Sequence, residues 1–210
     1  MDRRAALKHI GLSAGFIAVT PTLISLLQSC KNEYVINWTP ELLSLEEAKA
    51  VDQLVDLIIP ETDIPGAKAL NVPMFIDKYA SQIAKVEDAQ FFKAGAGITL
   101  KELGAGEEKP VDDIPVETYD ALLTKYLKQP KEKQQKYREQ MARTSPEDFG
   151  TMPQEVIVFN FLAAVRNISV YAYRNTEYVG ENVLSYLPVP GSQIGCAPLK
   201  ELTGGKSWSL

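Results

Sequence analysis

The stretch QEVIVFNFLAAVRNISVYAYRNTEYVG, residues Gln154–Gly180, decides the fold class. It is the longest apolar segment of the chain body, and its β-branched residues would suit a strand. Strands usually run only about 3–10 residues, however, so the length points to a helix. Pro153 before the run and Gly180 near its end fit the usual punctuation of a helix start and stop. Val156, Phe159, Leu162, Ala163, Val165, Ile168 and Ala172 fall on more than one side of the cylinder. A helix that is apolar on several sides is surrounded by other elements, so this is predicted to be the central helix.

Upstream, the periodicity is also helical. Ser44 opens SLEE with Glu47 three residues on, the capping-box pattern, and Val51, Leu54, Val55 and Ile58 come next on one helical face as far as Pro60. After the loop PETDIPGAKALNVP, a second helix is predicted around Phe75, Ile76, Tyr79 and Ile83, and a third over Glu87–Leu103. GAGEEKPVDDIP from Gly104 reads as a loop. A fourth helix is expected over Val116–Leu127, with the stripe Tyr119, Leu122, Leu123 and Tyr126. Pro130 starts a fifth, KEKQQKYREQM, which is polar nearly all round and reads as a solvated face. Strand-turn-strand signals are absent. The expectation is an all-α fold: a single compact multi-helix domain, residues 44–210, with long Pro/Gly-rich loops and an irregular C-terminal tail.

At the other end, Arg3 and Arg4 precede Leu7, Lys8 and an apolar run from Ile10 to Leu27. The order of a basic n-region and a moderately apolar h-region marks a targeting segment, and the adjacent arginines resemble the twin-arginine signal used by cargo exported already folded. A spanning helix needs about 20 strongly apolar residues, whereas Gly11, Gly15 and Pro21 interrupt this run. It ends in LLQSCKNE, which resembles a lipobox with Cys30 as the acylated residue. Residues 1–29 are therefore expected to be a signal peptide and 30–43 a tether. Several acyl chains on Cys30 would anchor the protein stably. The expected location is periplasmic, exported across the bacterial inner membrane and membrane-tethered.

Composition narrows the chemistry. The 210-residue chain has a formal net charge of −5, and the leader removes Arg3, Arg4 and Lys8 but only one acid, Asp2. An acidic body argues against nucleic acid, whose affinity comes from clustered Lys and Arg. The one histidine is His9, inside the leader. Without it the body lacks the commonest general base and metal ligand, as well as the usual axial ligand of haem. With Cys30 committed to lipid, Cys196 is the sole remaining thiol, so neither an internal disulfide nor a haem-attachment motif can be built. GAGITL from Gly95 lacks the third glycine of a dinucleotide fingerprint and sits in a helical pattern. No catalytic residue, metal ligand or cofactor site is expected in this chain.

The remaining constellations read as structural. Glu61 and Asp63 in PETD are too few oxygens for a Ca²⁺ loop and read as turn chemistry. Arg166 and Arg174 are expected to pair internally with Glu155 or Glu177. Tyr171, Tyr173, Tyr178 and Tyr186 suit either a core or an interface. The tail SYLPVPGSQIGCAPLKELTGGKSWSL is too irregular to bury itself and too apolar to float freely; it would wrap its own domain or embrace a second protein.

LVDLIIPETDIPGAKALNVPMFID, Leu54 to Asp77, together with the long helix running into VGENVLSYLPVPG, resembles the small subunit family of gluconate 2-dehydrogenase, labelled subunit three. IIPETDIPGA (Ile58 to Ala67) and YLPVPG (Tyr186 to Gly191) are the most specific pieces. The resemblance runs from about Ser44 to Leu199, and Gly104–Gly150 carries no family motif beyond helical character. It implies a non-catalytic accessory subunit without a redox centre. The partner would be a large flavin-bearing dehydrogenase subunit of the glucose-methanol-choline (GMC) class, holding FAD, frequently alongside a cytochrome c. The small subunit would supply the export signal that the large one lacks. On that reading Pro60, Glu61, Ile64, Pro65, Tyr186, Leu187, Pro188 and Pro190 are expected to contact the partner, because proline-fixed apolar segments lose little entropy on docking. The competing reading is a stand-alone helical lipoprotein that binds a solute or glycan in a concave, aromatic-lined site.

Overall fold

The computed structural model describes residues 34–106, 109–189, 191–192 and 196–209. The chain divides into two units, Met1–Tyr34 and Val35–Leu210, and the described helices all lie in the second. Arg3, Arg4, Cys30 and Pro190 lie outside the described residues.

The architecture is all-α. In chain order the helices are α1 (Leu45–Ile58), α2 (Val72–Gln82), α3 (Val86–Glu102), α4 (Val116–Leu127), α5 (Lys131–Arg143), α6 (Gln154–Arg174) and α7 (Leu199–Thr203). Short 3₁₀ turns precede α4 and α6, and a π turn (Val179–Val183) comes after α6. No strand occurs among the described residues; pairing is limited to two isolated bridges, Gly106 with Lys109 and Ser185 with Trp208.

The Gln154 segment is the central helix that its sequence implies. α6 packs against each of α1 to α5, and Val156, Val158, Phe159, Phe161, Leu162 and Val165 are buried. Burying each such side chain contributes about 1.5–3 kcal/mol, so this helix organises the core. It is also long and apolar enough to cross a membrane by length and composition, but its burial among five helices accounts for that. It ends at Arg174, six residues before Gly180. Asn175 N–H bonds to the carbonyls of Tyr171 (3.2 Å) and Ala172 (3.1 Å), and the Thr176 hydroxyl bonds to Tyr173 C=O at 2.8 Å. The Asn175 side-chain amide also donates to Tyr171 C=O at 2.8 Å, and side-chain bonds of this kind to the last carbonyls compete with the next helical turn, which explains the early stop.

α1 begins as the capping box predicts: Glu47 N–H donates to Ser44 Oγ (3.3 Å) and Ser44 N–H to Glu47 Oε2 (2.7 Å). Its inner face is Ala48, Val51, Leu54 and Val55, all buried. α2 departs from the predicted stripe. Phe75 and Ile83 are exposed and Tyr79 is half-buried, while Val72, Ile76 and Ala80 face the core. Phe75 and Tyr79 stack on each other at the surface with ring centroids 5.9 Å apart. The apolar residues of α2 fall on two faces, and the stripe of smaller side chains is the one that fits against α6. α5 is polar as expected except for Tyr137, which is buried with its ring 5.4 Å from Phe159 and its hydroxyl donating to Glu155 at 2.5 Å. That contact docks an otherwise solvated helix.

A buried acid closes the domain's N-terminal edge. Asp77 on α2 has no exposed surface, and its carboxylate accepts N–H bonds from Glu41 (2.6 Å), Leu42 (3.2 Å) and Leu43 (2.9 Å). The Glu41 side chain in turn accepts from Ser81 Oγ and Gln82 Nε2, each at 2.7 Å. Ile36, Trp38 and Leu42 pack against the core, and Leu43 is buried.

Candidate functional site

The PETDIPG loop is held rigidly. Pro60 has no N–H with which to continue α1, and the chain folds back so that Ala67 N–H reaches Ile59 C=O at 3.0 Å. Gly66 lies directly on the preceding backbone. A Cβ there would sit 2.6 Å from Glu61 N and 2.9 Å from Pro60 C, so only glycine fits. Tyr173 on α6 donates its hydroxyl to Pro65 C=O at 2.9 Å, and Lys68 pairs with Asp52 at 3.1 Å. Pro60, Glu61 and Asp63 are exposed on this frame, and Ile64 and Pro65 are half-buried. Among the described residues no group of three metal-ligating side chains lies together.

The tail is pinned at both ends. Ser185 N–H bonds to Ser207 C=O (2.8 Å), and Ser209 N–H returns to Ser185 C=O (2.9 Å). The bridge closes a loop that carries Tyr186, Leu187, Pro188, Val189 and the short α7, which ends at Gly204 with φ of 66°. Tyr186, Leu187, Val189, Leu199, Leu202 and Trp208 stay exposed. The tail therefore neither wraps the core nor hangs free.

Three surface clefts meet at the C-terminal end of α6. One of about 320 Å³ is lined by Val170, Tyr171, Arg174, Leu184 and Trp208, among others. A second of about 140 Å³ joins Arg174, Glu177 and Glu181 to Tyr186 and Ser209. The third, about 380 Å³, joins Ala69, Leu70 and Asn71 to the turn from Thr176 to Asn182. Of the two segments singled out in the sequence, YLPVPG reaches these clefts through Tyr186 in the second, whereas no PETDIPG residue lines any of the three; that loop is tied to the same helix by the Tyr173 bond to Pro65.

Arg166 and Arg174 do not behave as the sequence suggests. Arg166 turns to the Asn167 side chain at 3.2 Å, and Glu155 is taken by Tyr137 and Lys133. No ion pair joins Arg174 to an acid among the described residues. The helix ends two residues before Thr176, so the helical spacing that would align Arg174 with a downstream acid is lost. Val170, Leu184 and Trp208 are not legible as site residues from the sequence. A lone tryptophan in the Gly/Ser-rich GGKSWSL is the one signal available.

Elsewhere the ionisable groups are committed to structure. The buried Lys49 ammonium bonds both Asp112 carboxylate oxygens (2.9 and 3.0 Å), joining α1 to the 3₁₀ turn before α4. Lys93 pairs with Glu47. Burial, reinforced by the negative charges of Asp112 and Glu46, pushes the Tyr119 phenol up to about 12, so it is neutral at physiological pH. Its hydroxyl has no hydrogen-bond partner among the described residues. The GAG glycines serve packing: a Cβ at Gly95 would lie 2.8 Å from Phe161 Cβ, and one at Gly97 3.3 Å from Glu47 Oε1. These positions are filled by neighbours, which leaves no cradle there for a phosphate.

No curated protein and no solved structure matches the chain. A family model described as gluconate 2-dehydrogenase subunit 3 matches residues 45–191, from the first residue of α1 to the glycine that closes YLPVPG. The chain belongs to the gluconate 2-dehydrogenase subunit 3 family and is an accessory subunit of a dehydrogenase complex.

Proposed function

We propose that this chain is non-catalytic and that it escorts, stabilises and anchors a flavin-bearing GMC-type dehydrogenase subunit. The observation that carries the reading is family membership as a dehydrogenase subunit in a chain whose opening residues resemble a signal for folded cargo. Arg3 and Arg4 address the complex to twin-arginine export, and acylated Cys30 holds it at the membrane in the periplasm. The distribution of side chains supports the division of labour. The sole histidine is in the leader, and the buried charges Lys49, Asp77 and Glu47 are used to tie helices to one another and to the segments that flank them.

The chemistry belongs to the partner. FAD held there would supply hydride acceptance from a sugar or sugar-acid alcohol carbon, whose hydroxyl proton would go to a base of that subunit, and the two electrons would leave for a membrane carrier such as a cytochrome c. Affinity purification of the native lipoprotein and an absorbance spectrum of the product test the reading. A flavin spectrum in the purified complex is the expected result; colourless protein, free of any dehydrogenase polypeptide, would refute it.

A further inference from the structure

The C-terminal end of α6 carries an apolar surface that the domain itself leaves uncovered. Val170 and Tyr171 are 44% and 60% exposed, and Trp208, brought alongside by the Ser185 bridge, is 44% exposed. Together with Leu184 they line one cleft, and Arg174 stands in its wall with no acid paired to it among the described residues. Aromatic side chains next to an arginine are the composition of binding hot spots. An arginine without an acid at the wall of an apolar cleft offers a bidentate seat to a carboxylate. The cleft walls come from α6 and from a backbone-bridged return strand of chain, so docking orders little that is not already fixed.

We propose that this cleft is the docking site for the dehydrogenase subunit, receiving an apolar side chain between Val170 and Trp208 and an adjacent carboxylate on Arg174. The assignment rests on the accessory-subunit function proposed above. Family membership supplies the occupant: the chain is a dehydrogenase subunit and must offer its partner a surface. Glu177 and Glu181 line a second cleft with Arg174, so the seat suits a single carboxylate set on the Val170–Trp208 side of the arginine, which a folded protein partner can present and an anionic membrane, negative over its whole surface, cannot. The site is distinct from the PETDIPG and YLPVPG segments: neither lines this cleft, and Tyr186 lines the neighbouring one that shares Arg174.

The test uses the full chain, tagged and expressed in its native host, with bound flavin measured per mole of chain after detergent extraction. Val170→Arg, Arg174→Glu and Trp208→Ala alter exposed side chains. Ile83→Arg is the control: Ile83 is 68% exposed and lies at the far end of α2, about 18 Å along the helix from Asn71. The melting temperature of each variant should match the wild type. Flavin recovery is expected to fall at least about tenfold in the three cleft variants and to persist in the control. Full recovery in the cleft variants, with flavin present in the wild type, would overturn the assignment while leaving the escort reading intact. No flavin in the wild type would overturn both. A dimeric mass for the lone chain that the cleft variants halve would assign the surface to a second copy. Release of those variants from membranes with flavin recovery intact would assign it to lipid. Either of those last two results also overturns the proposal.

Discussion

Replacing Asp77 should undo the N-terminal edge of the domain. Its carboxylate is fully buried and receives three backbone N–H groups 34 to 36 residues earlier in the chain, at 2.6, 2.9 and 3.2 Å. A hydrogen bond to a charged group contributes about 1.5–3 kcal/mol net. The Glu41 amide, on an exposed residue, can turn to water once the carboxylate is gone. The Leu43 amide cannot, because Leu43 is buried. Counting one full loss and partial losses for the other two, Asp77→Ala is expected to cost about 2–4 kcal/mol. Asp77→Asn keeps the shape but sets an NH₂ against donor amides, so it should cost nearly as much. The assay is urea unfolding of the soluble chain beyond Cys30 at neutral pH, with hydrogen exchange at residues 41–43 as the local readout. A loss below about 1 kcal/mol with those amides still protected would refute the reasoning.

Other contacts make equally definite demands. Gly95→Ala places a methyl group 2.8 Å from Phe161 Cβ and should cost about 1–3 kcal/mol by calorimetry, since both helices must shift. Lys49→Ala leaves the Asp112 carboxylate without its ammonium and is expected to cost about 3–5 kcal/mol, whereas Lys49→Met with Asp112→Leu should recover most of that loss in the same denaturation assay. At Glu102, burial pushes the carboxyl up, but hydrogen bonds from Lys125 and Tyr126, the Lys125 charge and Gln154 together hold it below its usual value of 4.5. Its contribution is therefore present above that value and fades as pH falls through the lower folded-state pKa. Glu102→Gln should accordingly flatten the acid limb of a stability-versus-pH curve, and an unchanged limb would contradict the assignment.

Features written in local chemistry are legible in the sequence. The capping box at Ser44, the bounds of α4 at Val116 and Leu127, and the central role of the Gln154 helix depend on neighbours within a turn or two. The face of α2 is not legible, because Phe75 and Tyr79 are more apolar than Ala80 yet stack at the surface. Nor are the buried charges. Asp77 reads as an ordinary polar position until residues 41–43 fold over it, and Lys49 until Asp112, 63 residues away, reaches it. The candidate surface divides in the same manner. The proline-rich segments identify themselves, but Trp208 joins them only through a bridge to Ser185 that no periodicity encodes.

On the proposed function, adhesion and transport reside in this chain and redox chemistry in its companion. That division is tested most directly by isolating the complex from membranes, separating its polypeptides, and measuring flavin absorbance and sugar-dependent dye reduction in each fraction. Both signals are predicted to travel with the larger polypeptide and to be absent from this one. A stoichiometric prosthetic group, or turnover, in the separated small chain would contradict it.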